Sequence, residues 1–131
     1  MYLDADVLYA YLKETDWLKK YSKIILKSKN LITSTITITE LELISKRDFN
    51  NNFSNNVIQE ILKLKNLKLI DLTQEVLLKA TELRVEYKLN IFDAIHAATT
   101  IINKDTIIST DHAFDIITEL KRKDPRTFNE I

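Results

Sequence analysis

A chain of 131 residues, 45% hydrophobic and 29% charged, is long enough to bury one sizeable core and has no linker to support a second, so one domain is expected. Its 19 basic and 19 acidic residues cancel, which excludes the strong overall field of a basic nucleic-acid binder and leaves any such affinity to local patches or bound metal. The absence of cysteine excludes disulfides, thiolate metal sites and Cys nucleophiles. Met1-Tyr2-Leu3-Asp4 has no basic, apolar leader and no stretch is fit to span a bilayer, so a cytoplasmic protein with no membrane role is expected.

In chain order, Met1 to Leu3 predicts a short strand, and Asp6 predicts the cap of a helix with Val7, Leu8, Tyr11 and Leu12 on one face. Trp17, Leu18, Tyr21, Ile24 and Ile25 repeat at helical spacing, with Trp17 and Tyr21 suited to a core or dimer face. Leu31 to Ser34 predicts a second strand. Ile38, Leu41 and Ile44 form the next helical face, opened by a Thr37-x-x-Glu40 capping-box pattern. The polar run from Asp48 to Asn56 predicts a loop, followed by a helix carrying Val57, Ile58, Ile61 and Leu62. Leu67 to Leu72 predicts strand three. Thr73 predicts the cap of a helix through Tyr87, and a further helix spans Ile91 to Ile102. Strand four, Thr106 to Thr110, ends at Asp111, and a helix bearing Phe114, Ile117 and Leu120 follows. The tail Lys121 to Ile131 has room for a short last strand. With no glycine, Asn30, Asn66, Asn90 and Asn103 are expected at caps and turns.

Strands alternating with helices predict a three-layer α/β/α domain on a mostly parallel sheet of four or five strands, with right-handed crossovers. Ligands of such sheets gather beyond the carboxyl ends of the strands. Asp4 and Asp111 each follow a predicted strand directly, and Glu40 opens the helix after strand two. The helix holding Asp93 must deliver the chain to the opposite edge, so its first turn starts at the carboxyl edge. Asp4, Glu40, Asp93 and Asp111 are therefore expected to converge.

Two carboxylates ~5 Å apart repel by roughly 3 kcal/mol at an effective dielectric of about 20, so a cluster of four needs protons or cations. Oxygen-only ligands at this density suit Mg²⁺ or Mn²⁺ better than zinc. A hard metal with open positions activates a water and screens a phosphate, which points to phosphodiester hydrolysis, with one or two metals both open.

The segments Leu3-Asp4-Ala5-Asp6-Val7-Leu8, Thr35 to Leu41, Phe92-Asp93-Ala94-Ile95-His96-Ala97-Ala98 and Ser109-Thr110-Asp111-His112-Ala113-Phe114 resemble the motifs of PIN-domain nucleases, especially VapC-type toxins, over nearly the whole chain. The resemblance implies a PIN-like fold and a Mg²⁺- or Mn²⁺-dependent endoribonuclease leaving 5′-phosphate and 3′-hydroxyl ends on its RNA substrate. It also implies a homodimer and a small cognate antitoxin. Asp4, Glu40, Asp93 and Asp111 match the family's four acidic positions. Ala5 and Asp6 stand where many relatives carry Thr followed by Asn or Ser, and Ala113 stands where many carry a further acid.

Each acid also has a local alternative: Asp4 ends a strand, Asp111 caps a helix, Glu40 completes a capping box and Asp93 complements a helix dipole. Convergence favours the functional reading. His96 is expected to pack neutrally against the sheet, and Asp6 to be a cap rather than a ligand. Thr110 is a candidate supporting residue, and Ser109 shares its hydroxyl chemistry. Lys46, Arg47, Lys121, Arg122, Lys123 and Arg126 are the candidate phosphate contacts, against a default of solvated surface. Two rivals stand beside the nuclease: a receiver-like phosphoacceptor using Asp4, Asp6 and Asp71, and an inactive PIN-like fold that only binds RNA or protein. Two helices between strands three and four count against the receiver.

Overall fold

The computed structural model describes residues 1–13 and 16–129, apart from the side chains of Asn51 and Ser54. Its strands are β1 (Tyr2–Leu3), β2 (Leu31–Ser34), β3 (Leu67–Ile70), β4 (Ile107–Ile108) and β5 (Arg122–Lys123). Its helices are α1 (Ala5–Leu12), α2 (Lys19–Ile25), α3 (Thr35–Asp48), α4 (Asn51–Leu62), α5 (Gln74–Tyr87) and α6 (Ile91–Ile102), with 3-10 turns at His112–Ile116 and Pro125–Thr127. All five strands pair in parallel, in the order β3-β2-β1-β4-β5. The receiver-like reading fails on this order, because those sheets run 2-1-3-4-5. Asp71 follows the edge strand β3, exposed and apart from the acids considered below.

Period-two alternation sorts the core into two layers. Tyr2 and Ile107 face α5 and α6, where they join Val76, Ala80, Leu83, Ala94, Ala97 and Ala98. Leu3, Leu31 and Ile108 face the other way, among Val7 and Leu8 of α1, Ile25 of α2, Leu41 of α3 and Val57 and Ile61 of α4. The alanines of α6 let that helix lie close to the sheet. This is the expected α/β/α sandwich.

Several local expectations are corrected. Asp4, not Asp6, caps α1, its Oδ1 accepting from Ala5 N at 2.8 Å. Helix α3 leaves β2 without a loop and is capped by Ser34, whose Oγ accepts from Ile36 N at 3.1 Å. The Thr37–Glu40 capping box therefore does not form: Thr37 is buried, and Glu40 lies in the second turn. The polar run after Asp48 is largely helical, because Asn50 caps α4 through Phe53 N and Phe53 packs on the core below α1. Strand four pairs only over Ile107–Ile108. The helix expected after Asp111 is a 3-10 turn that brings Phe114 and Ile117 into the core and leads to β5. Of the tail, Glu130 and Ile131 lie outside the described residues.

Among the described residues, Asn30, Lys88 and Lys104 have positive φ, at 61°, 56° and 53°, so two of these positions fall to lysine, which pays only a modest Cβ penalty there. Asn90 caps α6, while Asn103 ends it at φ −85°. Asn66 staples the loop after α2 to β3, its Nδ2 donating to Leu26 O at 2.6 Å and to Ser28 O at 2.8 Å. Asn66→Ala leaves these carbonyls short of partners and is expected to lower unfolding stability by about 1–2 kcal/mol, read from the midpoint of a urea transition.

Candidate metal centre

The four acids named from the sequence line one cavity of about 430 Å³ at the carboxyl edge of the sheet, together with Ala5, Asp6, Tyr9, Ile44 and Thr110. Asp4 sits directly after β1, its backbone N–H donating to Ile108 O at 3.1 Å and so extending the ladder to β4. Its Oδ2 accepts from Ser109 Oγ at 2.6 Å, and the same Oγ accepts from Asp111 N at 3.0 Å. One hydroxyl thus ties the first acid to the fourth. Asp93 lies in the first turn of α6, clasped by its own cap: Asn90 Oδ1 accepts from Asp93 N at 2.9 Å and Asn90 Nδ2 donates to Asp93 Oδ2 at 2.9 Å. Asp111 opens the 3-10 turn, its Oδ1 accepting from Ala113 N at 2.9 Å.

Asp6 braces the loop that carries Asp111. Its Oδ2 accepts from Thr110 N at 2.9 Å and from Thr110 Oγ1 at 2.5 Å, so Thr110 acts on the site through Asp6. The cap expected at Asp6 lies two residues earlier, at Asp4.

His96 departs furthest from expectation. It is fully buried, but its Nε2 lies 2.7 Å from Glu40 Oε1 and 3.6 Å from Asp4 Oδ1. Burial opposes its charged form, yet Tyr2, the Glu40 hydrogen bond and the Asp4 and Glu40 charges prevail and hold its pKa well above the ordinary value. Neutral packing is replaced by an ion pair. A buried imidazole needs partners at both nitrogens, but that requirement does not identify either partner in the sequence.

Among the described residues, the cavity lining holds five carboxylates, those of Asp4, Asp6, Glu40, Asp93 and Asp111, and neither lysine nor arginine. Burial raises the pKa of Asp4 against the pull of His96 and Ser109. Burial first and then the Asp4 charge push Asp6 up to about 6. Burial, then Asp4 and Asp111, push Asp93 up to about 6 as well. Oxygens of Asp4 and Glu40 and a nitrogen of His96 all lie within 4.8 Å of one another, a spacing compatible with a bound ion. The donor set turned to the cavity is oxygen-only and under-neutralised, which fits a hard divalent cation.

The basic candidates are mostly engaged elsewhere. Arg122 is nearly buried, with its Nε donating to Asp115 Oδ1 at 2.8 Å and its Nη1 to Ser109 O at 2.9 Å. Arg126 pairs with Asp124 and stacks over Trp17, which is 58% exposed and so not a core residue. Arg47 remains exposed beside Asp48.

A family model described as the PIN domain matches residues 1–120. The chain belongs to the PIN domain family. Solved structures agree on the fold. This PIN domain is similar to VapBC2 from Rickettsia felis bound to a DNA fragment from its promoter (TM-score 0.74, 16% identity, covering 94% of this chain and 96% of that one). It is similar to VapC20 from Mycobacterium tuberculosis, described as a sarcin-ricin loop cleaving toxin (TM-score 0.76, 17% identity, 92% and 98% covered). It is also similar to FitAcB from Neisseria gonorrhoeae (TM-score 0.76, 18% identity, 95% and 97% covered). A comparison with curated proteins finds no match. Among the described residues, no helix of this PIN domain is long and apolar enough to cross a membrane.

Proposed function

We propose that this PIN domain is an endoribonuclease dependent on Mg²⁺ or Mn²⁺, the toxin of a VapBC-type pair, with Asp4, Glu40, Asp93 and Asp111 holding the cation. The observation that carries this reading is a cavity lined, among the described residues, by five carboxylates and neither lysine nor arginine. When bound, a hard divalent cation supplies positive charge that screens a phosphate and lowers the pKa of a water.

The chain's own residues do the rest. Asp93 faces the cavity with its carboxylate clasped by Asn90, a placement from which it would accept the proton of an attacking water. The water oxygen bonds to phosphorus as the P–O3′ bond breaks, leaving a 5′-phosphate and, after the leaving oxygen takes a proton from solvent, a 3′-hydroxyl. Ser109 and Asp6 hold the Asp4 and Asp111 segments in register, so neither acid reorganises as charge develops. Ile44 and Tyr9 form the less polar wall, Tyr9 being buried with its OH donating to Asp48 Oδ2 at 3.0 Å and the Lys13 ammonium lying over its ring.

The toxin assignment draws on the VapBC and FitAB-type neighbours, and RNA as substrate on the neighbour described as cleaving the sarcin-ricin loop. The same neighbours support a protein antitoxin as partner, and a homodimer accompanies that reading. The test incubates the purified protein with RNA in Mg²⁺ or Mn²⁺. Cleavage is expected to stop with EDTA and in Asp111→Asn, and products are expected to carry 5′-phosphates. Persistence of cleavage under chelation or in Asp111→Asn would refute the site.

A further inference from the structure

Behind the carboxylates runs a chain of hydrogen bonds that phosphodiester chemistry does not itself require. Glu40 Oε1 lies 2.7 Å from His96 Nε2, and His96 Nδ1 lies 2.5 Å from the Tyr2 hydroxyl. That hydroxyl lies 3.2 Å from Thr37 Oγ1, which lies 2.9 Å from Thr33 Oγ1, and Thr33 Oγ1 donates to Leu3 O at 2.8 Å. Tyr2, Thr33, Thr37 and His96 are all fully buried. No buried side-chain nitrogen or oxygen among the described residues lacks a partner.

The geometry fixes which way the ring works. Because a carboxylate oxygen accepts, the 2.7 Å contact assigns the donor role to His96 Nε2. This holds whether Nδ1 accepts from Tyr2 or donates to it. The lone pair a metal would need at Nε2 is thereby occupied, and Nδ1 points inward to Tyr2. His96 is absent from the cavity lining, whereas Glu40 is part of it. The ring also joins the two helical layers. It sits on α6, and through Nε2 to Glu40 and Nδ1 near Thr37 Oγ1 (3.5 Å) it meets two residues of α3 that lie one turn apart.

We propose that His96 is a positioning residue: its Nε2–H holds Glu40 by one oxygen, leaves the other for the cavity, and so sets the spacing at which α3 and α6 present their acids to a divalent cation. Tyr2, the second residue of the chain, is the far anchor of this device. The inference rests on the reading that these acids bind a cation, and it adds a residue that acts without touching the cation or the RNA. Supports of this kind typically change metal affinity by 10–100-fold.

The test measures Mn²⁺ binding to the intact chain by electron paramagnetic resonance titration, with thermal melts to confirm folding. His96→Leu is expected to weaken Mn²⁺ binding by about 10–100-fold, and Tyr2→Phe by a smaller factor, while His96→Gln, which keeps an N–H donor, recovers most of the loss. In ¹⁵N-histidine spectra of the metal-free protein, the Nε2–H proton of His96 is expected to be protected from exchange and to shift in Glu40→Gln. This second readout decides the matter if His96→Leu does not fold. A folded His96→Leu with wild-type Mn²⁺ affinity, a His96→Gln as impaired as His96→Leu, or an unprotected Nε2 would each overturn the proposal. Wild-type protein that binds no Mn²⁺ would overturn the role of the acids and this proposal together. Wild-type protein that binds Mn²⁺ alongside an indifferent His96→Leu would overturn the positioning role alone.

Discussion

Asp4→Asn is expected to reduce RNA cleavage by roughly a thousand-fold while raising the melting temperature of the metal-free protein. The two effects have one cause. Asp4 is buried and its pKa is raised, chiefly by loss of solvent, so its ionised form is costly in the folded state. Asparagine removes that charge but keeps the shape and an acceptor for Ala5 N, the capping bond made at 2.8 Å in the wild type. Its amide N–H₂ can donate to Ser109 Oγ, whose proton is then free to turn away. Stability therefore rises while the acid at the centre of the cavity is lost. Initial rates at saturating Mn²⁺ and a melt in EDTA measure the two halves. A variant that loses activity together with stability would show that the Asp4 charge serves the fold instead.

Without divalent cation, the protein is expected to be more stable near pH 5 than near pH 7.5. Asp6 and Asp93 both have folded pKa values of about 6 against ordinary values of 3.8. Raised acids bind protons more tightly in the folded state, so their contribution is complete below about 4 and is lost as pH rises through about 6. A shift of two units corresponds to roughly 3 kcal/mol for Asp6, and to less for Asp93, whose greater exposure admits solvent screening. His96 acts in the same direction: its raised pKa adds stability that is complete below about 6.5 and fades as pH rises through the higher folded value. Asp48, Asp115 and Asp124 are held low by arginine partners, with Tyr9 and His112 contributing to the first two, and their stabilisation fades only as pH falls below about 4. The two windows do not overlap. Mg²⁺ or Mn²⁺ is expected to raise the melting temperature strongly at pH 7.5 and weakly at pH 5, because protons and cation relieve the same repulsion. A melting temperature flat with pH in EDTA would show that these acids are not strained.

What was legible in the sequence follows from how locally each feature is encoded. Asp4 and Asp111 each follow an apolar dyad that forms a strand, Tyr2–Leu3 and Ile107–Ile108, so strand ends and parallel topology suffice to bring them to one edge. Asp93 needed one further step, the direction of α6. Glu40 reached the cavity for a different reason than its capping-box pattern suggests: β2 passes into α3 without a loop, which carries Glu40 into the second turn and over His96. His96 itself was not legible, since its partners Glu40 and Tyr2 are 56 and 94 residues away and an alanine-rich helical face gives no hint of them. Asp6 was misplaced for a similar reason, because its bond to Thr110 spans 104 residues. The later part of α4 is legible from Val57, Ile58, Ile61 and Leu62, whereas polar composition hides its start from Asn51 to Asn56, which forms because Asn50 caps it and Phe53 packs on the core. Local pattern conveys elements and edges, while long-range polar partners emerge only with the fold.

The most direct measurement is a crystal structure of the chain soaked in Mn²⁺, with anomalous scattering recorded to locate the ion. An anomalous peak is predicted in the cavity at coordination distance from Asp4 and at least one of Glu40, Asp93 and Asp111, with His96 still hydrogen-bonded to Glu40 and outside the ligand set. A peak elsewhere, or a fully occupied ion that these carboxylates do not touch, would contradict the account.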